Sequence, residues 1–180
     1  MTSRREFLQY LAVSLGGTAL LSACGDKLEI VATPPGNDGR FYTEREMALV
    51  ARISDLMIPR TETLGALDVN VPGYLDGMMV DWASAETREK HRLALTRILE
   101  GLNEGVAGDF LTATPDTARQ ALETLDAQAL TGAADMGGYR ELKGLITAVY
   151  FATEEGALKE MKWVPVPGRW DPSVDLINAE

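Results

Sequence analysis

The chain has 180 residues, 46% of them apolar and 24% charged, which is material for one sizeable hydrophobic core and argues against both a disordered chain and a two-domain enzyme. Seventeen Lys and Arg stand against 27 Asp and Glu, a net charge of −10, which excludes a surface that tracks nucleic-acid phosphates. One cysteine and one histidine leave too few soft ligands for structural zinc, an iron–sulfur cluster, covalent c-type haem or a disulfide framework within one chain.

Met1 to Leu8 reads Met-Thr-Ser-Arg-Arg-Glu-Phe-Leu, and Gln9 to Ala23 follows without a charge. A positive start, an uncharged run and small residues before a cut site are the parts of an export signal, so residues 1–23 stand apart from the fold. Arg4, Arg5, Phe7 and Leu8 resemble the twin-arginine motif, read by the translocon that carries folded proteins, and the weak hydrophobicity around Gly16, Gly17 and Thr18 suits that route. Leu21-Ser22-Ala23-Cys24 resembles a bacterial lipobox, in which the Cys24 thiol is diacylated and the peptide is cut before it. The competing interpretation of Cys24 is a buried small apolar residue or free thiol. The expected mature chain begins at Cys24 with 15 basic and 26 acidic residues, a charge of −11. It would be held at a membrane face outside the cytoplasm by two or three acyl chains rather than by a basic patch.

Residues 24–42, with Thr33-Pro34-Pro35-Gly36-Asn37-Asp38-Gly39, have the composition of a linker, and residues 43–180 form the expected helical domain. Thr43-Glu44-Arg45-Glu46 is a capping box that opens a helix running to Ile58, with Leu49, Ile53, Leu56 and Met57 at helical spacing and Pro59 as its stop. Pro59 to Ala66 is an ordered loop. Pro72 opens a second helix whose core stripe includes Met78, Met79 and Trp82. Ser84 caps a third, expected from Ala85 to Phe110, in which Gly101 and Gly105 mark a break or a close helix contact. Thr114-Pro115 starts a fourth, Gly137-Gly138 precede a fifth, and Thr153 restarts a short turn to Met161. The three prolines between Trp163 and Pro172 exclude regular helix there, and strand signals are nearly absent. The predicted fold is all-α, a four- to five-helix bundle with an extended Pro- and Trp-containing C-terminal tail.

Catalytic patterns do not emerge from the remaining residues. His91 lacks a Glu-x-x-His context and reads as a structural histidine at the core edge. No serine lies in Gly-x-Ser-x-Gly, and the glycines at 101, 105, 108, 137 and 138 do not form a phosphate cradle. Glu154-Glu155 reads as a favourable first helical turn, and Asp76 and Asp81, five apart, do not share a face. Trp163 and Trp170 either fold back over the bundle or dock on a partner.

Asp55-Leu56-Met57-Ile58-Pro59-Arg60-Thr61-Glu62-Thr63-Leu64-Gly65-Ala66 resembles the pattern after the first helix of the gluconate 2-dehydrogenase subunit 3 family. The likeness continues at Val71-Pro72-Gly73-Tyr74-Leu75-Asp76, at Tyr150-Phe151-Ala152-Thr153-Glu154-Glu155-Gly156 and at Val164-Pro165-Val166-Pro167-Gly168. Ala152 stands where family members often carry Ser, and the lipobox is not general to the family. The resemblance implies a small accessory subunit with no redox centre, which supports folding, stability and co-export of an FAD-containing subunit of the glucose–methanol–choline type. That partner oxidises a sugar or polyol, and a cytochrome c subunit with haem often takes the electrons.

The expected function is therefore a non-catalytic subunit, exported by the twin-arginine route and lipid-anchored on the periplasmic side. Its expected partner contacts are Pro59, Thr61, Gly65, Ala66, Tyr150, Trp163, Pro165, Pro167 and Trp170. The rival is a stand-alone lipoprotein that binds a small molecule between its helices, in a deep cavity lined by Tyr74, Trp82 and Tyr150. An enzyme in its own right ranks third, for want of a residue set.

Overall fold

A computed structural model describes residues 30–36, 39–131, 137–164 and 168. The described residues contain five α-helices, α1 (Glu44–Met57), α2 (Val71–Asp81), α3 (Ala85–Val106), α4 (Pro115–Thr131) and α5 (Gly137–Ala152), followed by a π-helical turn, Glu155–Glu160, and contain no strand. The export signal, Cys24 and the tail residues Pro165, Pro167 and Trp170 lie outside the described residues.

Helix starts follow the local chemistry. At α1 the Thr43 amide donates to Glu46 Oε2 at 2.8 Å and the Glu46 amide donates back to Thr43 Oγ1 at 3.3 Å, so two otherwise orphaned N–H groups are satisfied. Leu49, Val50 and Ile53 face inward, and the helix ends at Met57 because a residue before proline is pushed out of the helical region. Ser84 Oγ accepts from the Thr87 amide to open α3, and Thr114 Oγ1 accepts from the Thr117 amide to open α4.

Two expectations about helix faces need correction. Trp82 is 62% exposed rather than core. The inward line on α2 runs Leu75, Met79 and then Ala83, spaced by four, so Trp82 at the C-cap falls just off it. Helix α3 stops at Val106, with Ala107 in the left-handed region at φ 51°, and does not reach Phe110. Phe110 is nonetheless fully buried, because Asn103 Oδ1 accepts its amide at 2.8 Å and the Arg52 guanidinium lies 5.3 Å from its ring centre. The close contact expected at Gly105 is real, since a Cβ there would sit 3.1 Å from that of Ala121 on α4. The remaining core comes from Leu95, Ile98 and Leu102 of α3, Ala118, Leu122 and Leu125 of α4, and Tyr139, Leu142 and Ile146 of α5.

The described part of the stretch read as linker is fastened to the body. Val31 to Thr33 lies antiparallel along α2: the Thr33 amide donates to the Gly73 carbonyl at 2.9 Å near the start of the helix, and the Val31 amide donates to Asp81 Oδ2 at 3.0 Å at its end. Gly73 and Gly77 permit this approach, because a Cβ on either would stand 2.1 or 2.2 Å from the carbonyl oxygens of Thr33 and Val31. Asp76, fully buried, collects the rest of the strap. Its carboxylate accepts from the Thr33 hydroxyl at 2.5 Å and from the amides of Arg40, Phe41 and Tyr42 at 2.8, 2.9 and 2.7 Å. Burial pushes this carboxyl up, and the hydrogen bonds outweigh burial and hold it below 3.8.

Candidate partner-docking surface

The loop from Pro59 to Ala66 begins where α1 ends and closes on itself. The Ala66 amide donates to the Ile58 carbonyl at 2.9 Å, the Gly65 amide donates to Asp68 Oδ2 at 2.8 Å, and Arg60 pairs with Asp68. Only glycine fits at 65, since a Cβ would come within 2.6 Å of the Arg60 amide nitrogen and 2.8 Å of the Ile58 carbonyl oxygen.

The same loop is pinned from the far end of the chain. Tyr150, near the C-terminus of α5, donates its hydroxyl to the Leu64 carbonyl at 2.8 Å. Glu155 Oε1, on the π-helical turn, accepts the Leu64 amide at 3.1 Å, and the Thr63 hydroxyl donates to Glu160. Lys159 and the Leu64 amide hold the Glu155 carboxyl below its usual range, and burial raises that of the Tyr150 phenol. Two sequence blocks some ninety positions apart are thereby one piece of structure.

This arrangement sorts the expected contact residues. Pro59 and Thr61 are exposed on the loop, and Trp163 is 55% exposed after the π-helical turn. Gly65, Ala66 and Tyr150 are buried, so they shape the surface from beneath instead of presenting side chains to a partner. Sequence reasoning missed Leu158, Met161 and Val164, which are exposed beside Trp163, and missed Glu155 and Glu160 as the loop's fasteners. The Trp163 amide donates to the Ala157 carbonyl at 2.9 Å, with Lys162 in the left-handed region at φ 51°, so the indole is carried on a turn and not on a loose end.

His91 is buried, more so than a core-edge position implied, and its Nε2 lies 2.7 Å from the Tyr42 hydroxyl; burial lowers its pKa to about 4. No group of three or more His, Cys, Asp or Glu among the described residues is placed to hold a metal ion. Three clefts of about 220, 300 and 250 Å³ are described, and none is lined by Tyr74, Trp82 or Tyr150, the trio expected around a small molecule.

The sequence model of the family described as gluconate 2-dehydrogenase subunit 3 matches residues 44–168. No curated protein and no solved structure gives a match. The matched span covers all five α-helices, the pinned loop and the π-helical turn, and the chain belongs to the gluconate 2-dehydrogenase subunit 3 family.

Proposed function

We propose that this chain is the non-catalytic small subunit of a periplasmic flavoprotein dehydrogenase acting on a sugar or polyol, and that it supports the folding, stability and twin-arginine export of that enzyme. The FAD belongs to the catalytic subunit, of the glucose–methanol–choline type, and haem, where present, to a cytochrome c subunit. Cys24 carries the lipid that holds the complex at the membrane.

The observation that carries this reading is the pinned loop beside an exposed apolar surface. Thr63 and Leu64 are fastened by Glu160, Glu155 and Tyr150, Pro59 to Glu62 are left exposed on the loop, and Met161, Trp163 and Val164 are exposed in the stretch that follows Glu160. A rigid irregular loop flanked by an exposed tryptophan suits docking, since little order is lost on binding and aromatic anchors dominate interface energies. A leader of twin-arginine type on such a body fits the carriage of a folded, cofactor-loaded partner.

Co-expression with the neighbouring oxidoreductase and capture through a tag on this chain tests the assignment. Co-elution of an FAD-containing subunit is expected, with loss of that enzyme from the periplasm when this chain is deleted. Unchanged export and activity after deletion would overturn it.

A further inference from the structure

The end of α2 that carries Trp82 presents two exposed apolar side chains. Trp82 is 62% exposed there, and Val31, whose amide is bonded to the neighbouring Asp81, is 56% exposed. The polar groups at this end are already paired. Arg40 neutralises Asp81 at 2.8 Å, and Arg88 donates to the carbonyls of Val80 and Ala83 at 3.2 and 3.1 Å, so little desolvation is charged against an apolar contact.

Chain direction supplies the occupant. The strap runs from Val31 at the C-terminal end of α2 to Thr33 near its start, so its own amino-terminal end lies at the Trp82 end of the helix. Seven peptide steps separate Val31 from Cys24, at most about 25 Å of extended chain. A lipid on Cys24 therefore keeps this end of the helix within that reach of the bilayer, and an exposed indole favours the layer where apolar and wet surroundings meet. The loop at Pro59 to Ala66 adjoins the other end of α2, about 16 Å away along an eleven-residue helix.

We propose that the Trp82 and Val31 end of α2 rests on the lipid bilayer surface, which turns the pinned loop away from the membrane and toward the partner. This rests on the lipid-anchor reading of Cys24 given above.

The test uses the mature chain, residues 24–180, coupled through its single thiol to a maleimide lipid in phosphatidylcholine vesicles with or without bromine on the acyl chains. With Trp163→Phe and Trp170→Phe, Trp82 is the sole tryptophan, and the expected result is blue-shifted emission and loss of most of it on brominated vesicles. Equal Trp82 emission on both vesicles overturns the contact, as does matching loss from Trp163 in the Trp82→Phe, Trp170→Phe chain. Hydrogen exchange of the unsubstituted tethered chain is a second readout, with slowed exchange expected at Trp82 to Thr87 and an unchanged rate counting against the proposal. The intact mass of the protein taken from its native membrane separates the two levels. An unmodified Cys24 overturns the anchor and the contact together, whereas a diacylated Cys24 with unquenched Trp82 overturns the contact alone.

Discussion

The Tyr150 hydroxyl donates to the Leu64 carbonyl oxygen at 2.8 Å, joining positions 86 apart with a buried phenol. Its value lies less in the bond itself than in what its absence leaves behind: a half-buried loop carbonyl without a donor. Tyr150→Phe should therefore cost about 1–2 kcal/mol in urea unfolding. It should also weaken capture of the catalytic subunit, through a loop less well held. Full stability in the phenylalanine variant would show that the loop does not depend on this bond.

Removing the carboxylate at position 76 strands a buried hydroxyl and three backbone amides at once. Asp76→Ala is expected to lose about 3 kcal/mol or more, as for a buried network deprived of its acceptor. Limited proteolysis should cut between Thr33 and Tyr42 well before any helix is attacked.

Gly77→Ala sets two effects against each other. In an exposed helix the change gains about 0.5–1 kcal/mol. Here the new Cβ would meet the Val31 carbonyl oxygen at 2.2 Å. Net destabilisation, with faster amide exchange at Val31 and Thr33, is the expected sign, and a stabilised variant would mean that the strap yields without cost.

His91 makes stability depend on pH in a defined window. Burial lowers its folded-state pKa to about 4 from 6.5, so between those values the unfolded chain binds a proton that the native chain refuses. Stability should fall as pH drops through this interval, by up to about 3 kcal/mol, with Tyr42 on one side and Glu46 and Arg92 nearby. His91→Gln should flatten the dependence between pH 6.5 and about 5. Asp76 works further down: its carboxyl is held below 3.8, so its contribution is complete above that value and is lost as pH falls through the lower folded-state value.

Trp163→Ala separates folding from docking. The indole is more than half exposed, so unfolding should change by no more than about 0.5 kcal/mol. Affinity for the catalytic subunit should drop about tenfold or more, measured by titration of the purified partner.

Much of the helical scaffold was legible because it rests on short-range chemistry. Thr43 with Glu46, Ser84 with Thr87 and Pro115 all act within one turn, and the sequence displays them directly. The burial of Leu49, Leu95 and Ile146 follows from helical spacing in the same way. What stayed hidden depends on distant partners. Asp76 reads only as half of a carboxylate pair with Asp81, because its partners Thr33 and the amides of Arg40 to Tyr42 lie 34 to 43 positions away. Glu155 does sit in a first helical turn, as its position implies, but its bond to the Leu64 amide, 91 positions away, leaves no local signal. Tyr150 counts among the expected partner contacts, since spacing cannot show that its hydroxyl reaches the Leu64 carbonyl 86 positions away.

The strap also sets an order of events. Thr33 is made 43 residues before Asp76, and the intervening chain includes the whole of α1. The stretch next to residue 30 is thus synthesised before α2 and has nothing to fasten to until that helix exists, and its closure must bear the entropy of a long loop. A secured strap is accordingly a sign, placed at the amino-terminal edge of the domain, that α2 has already formed.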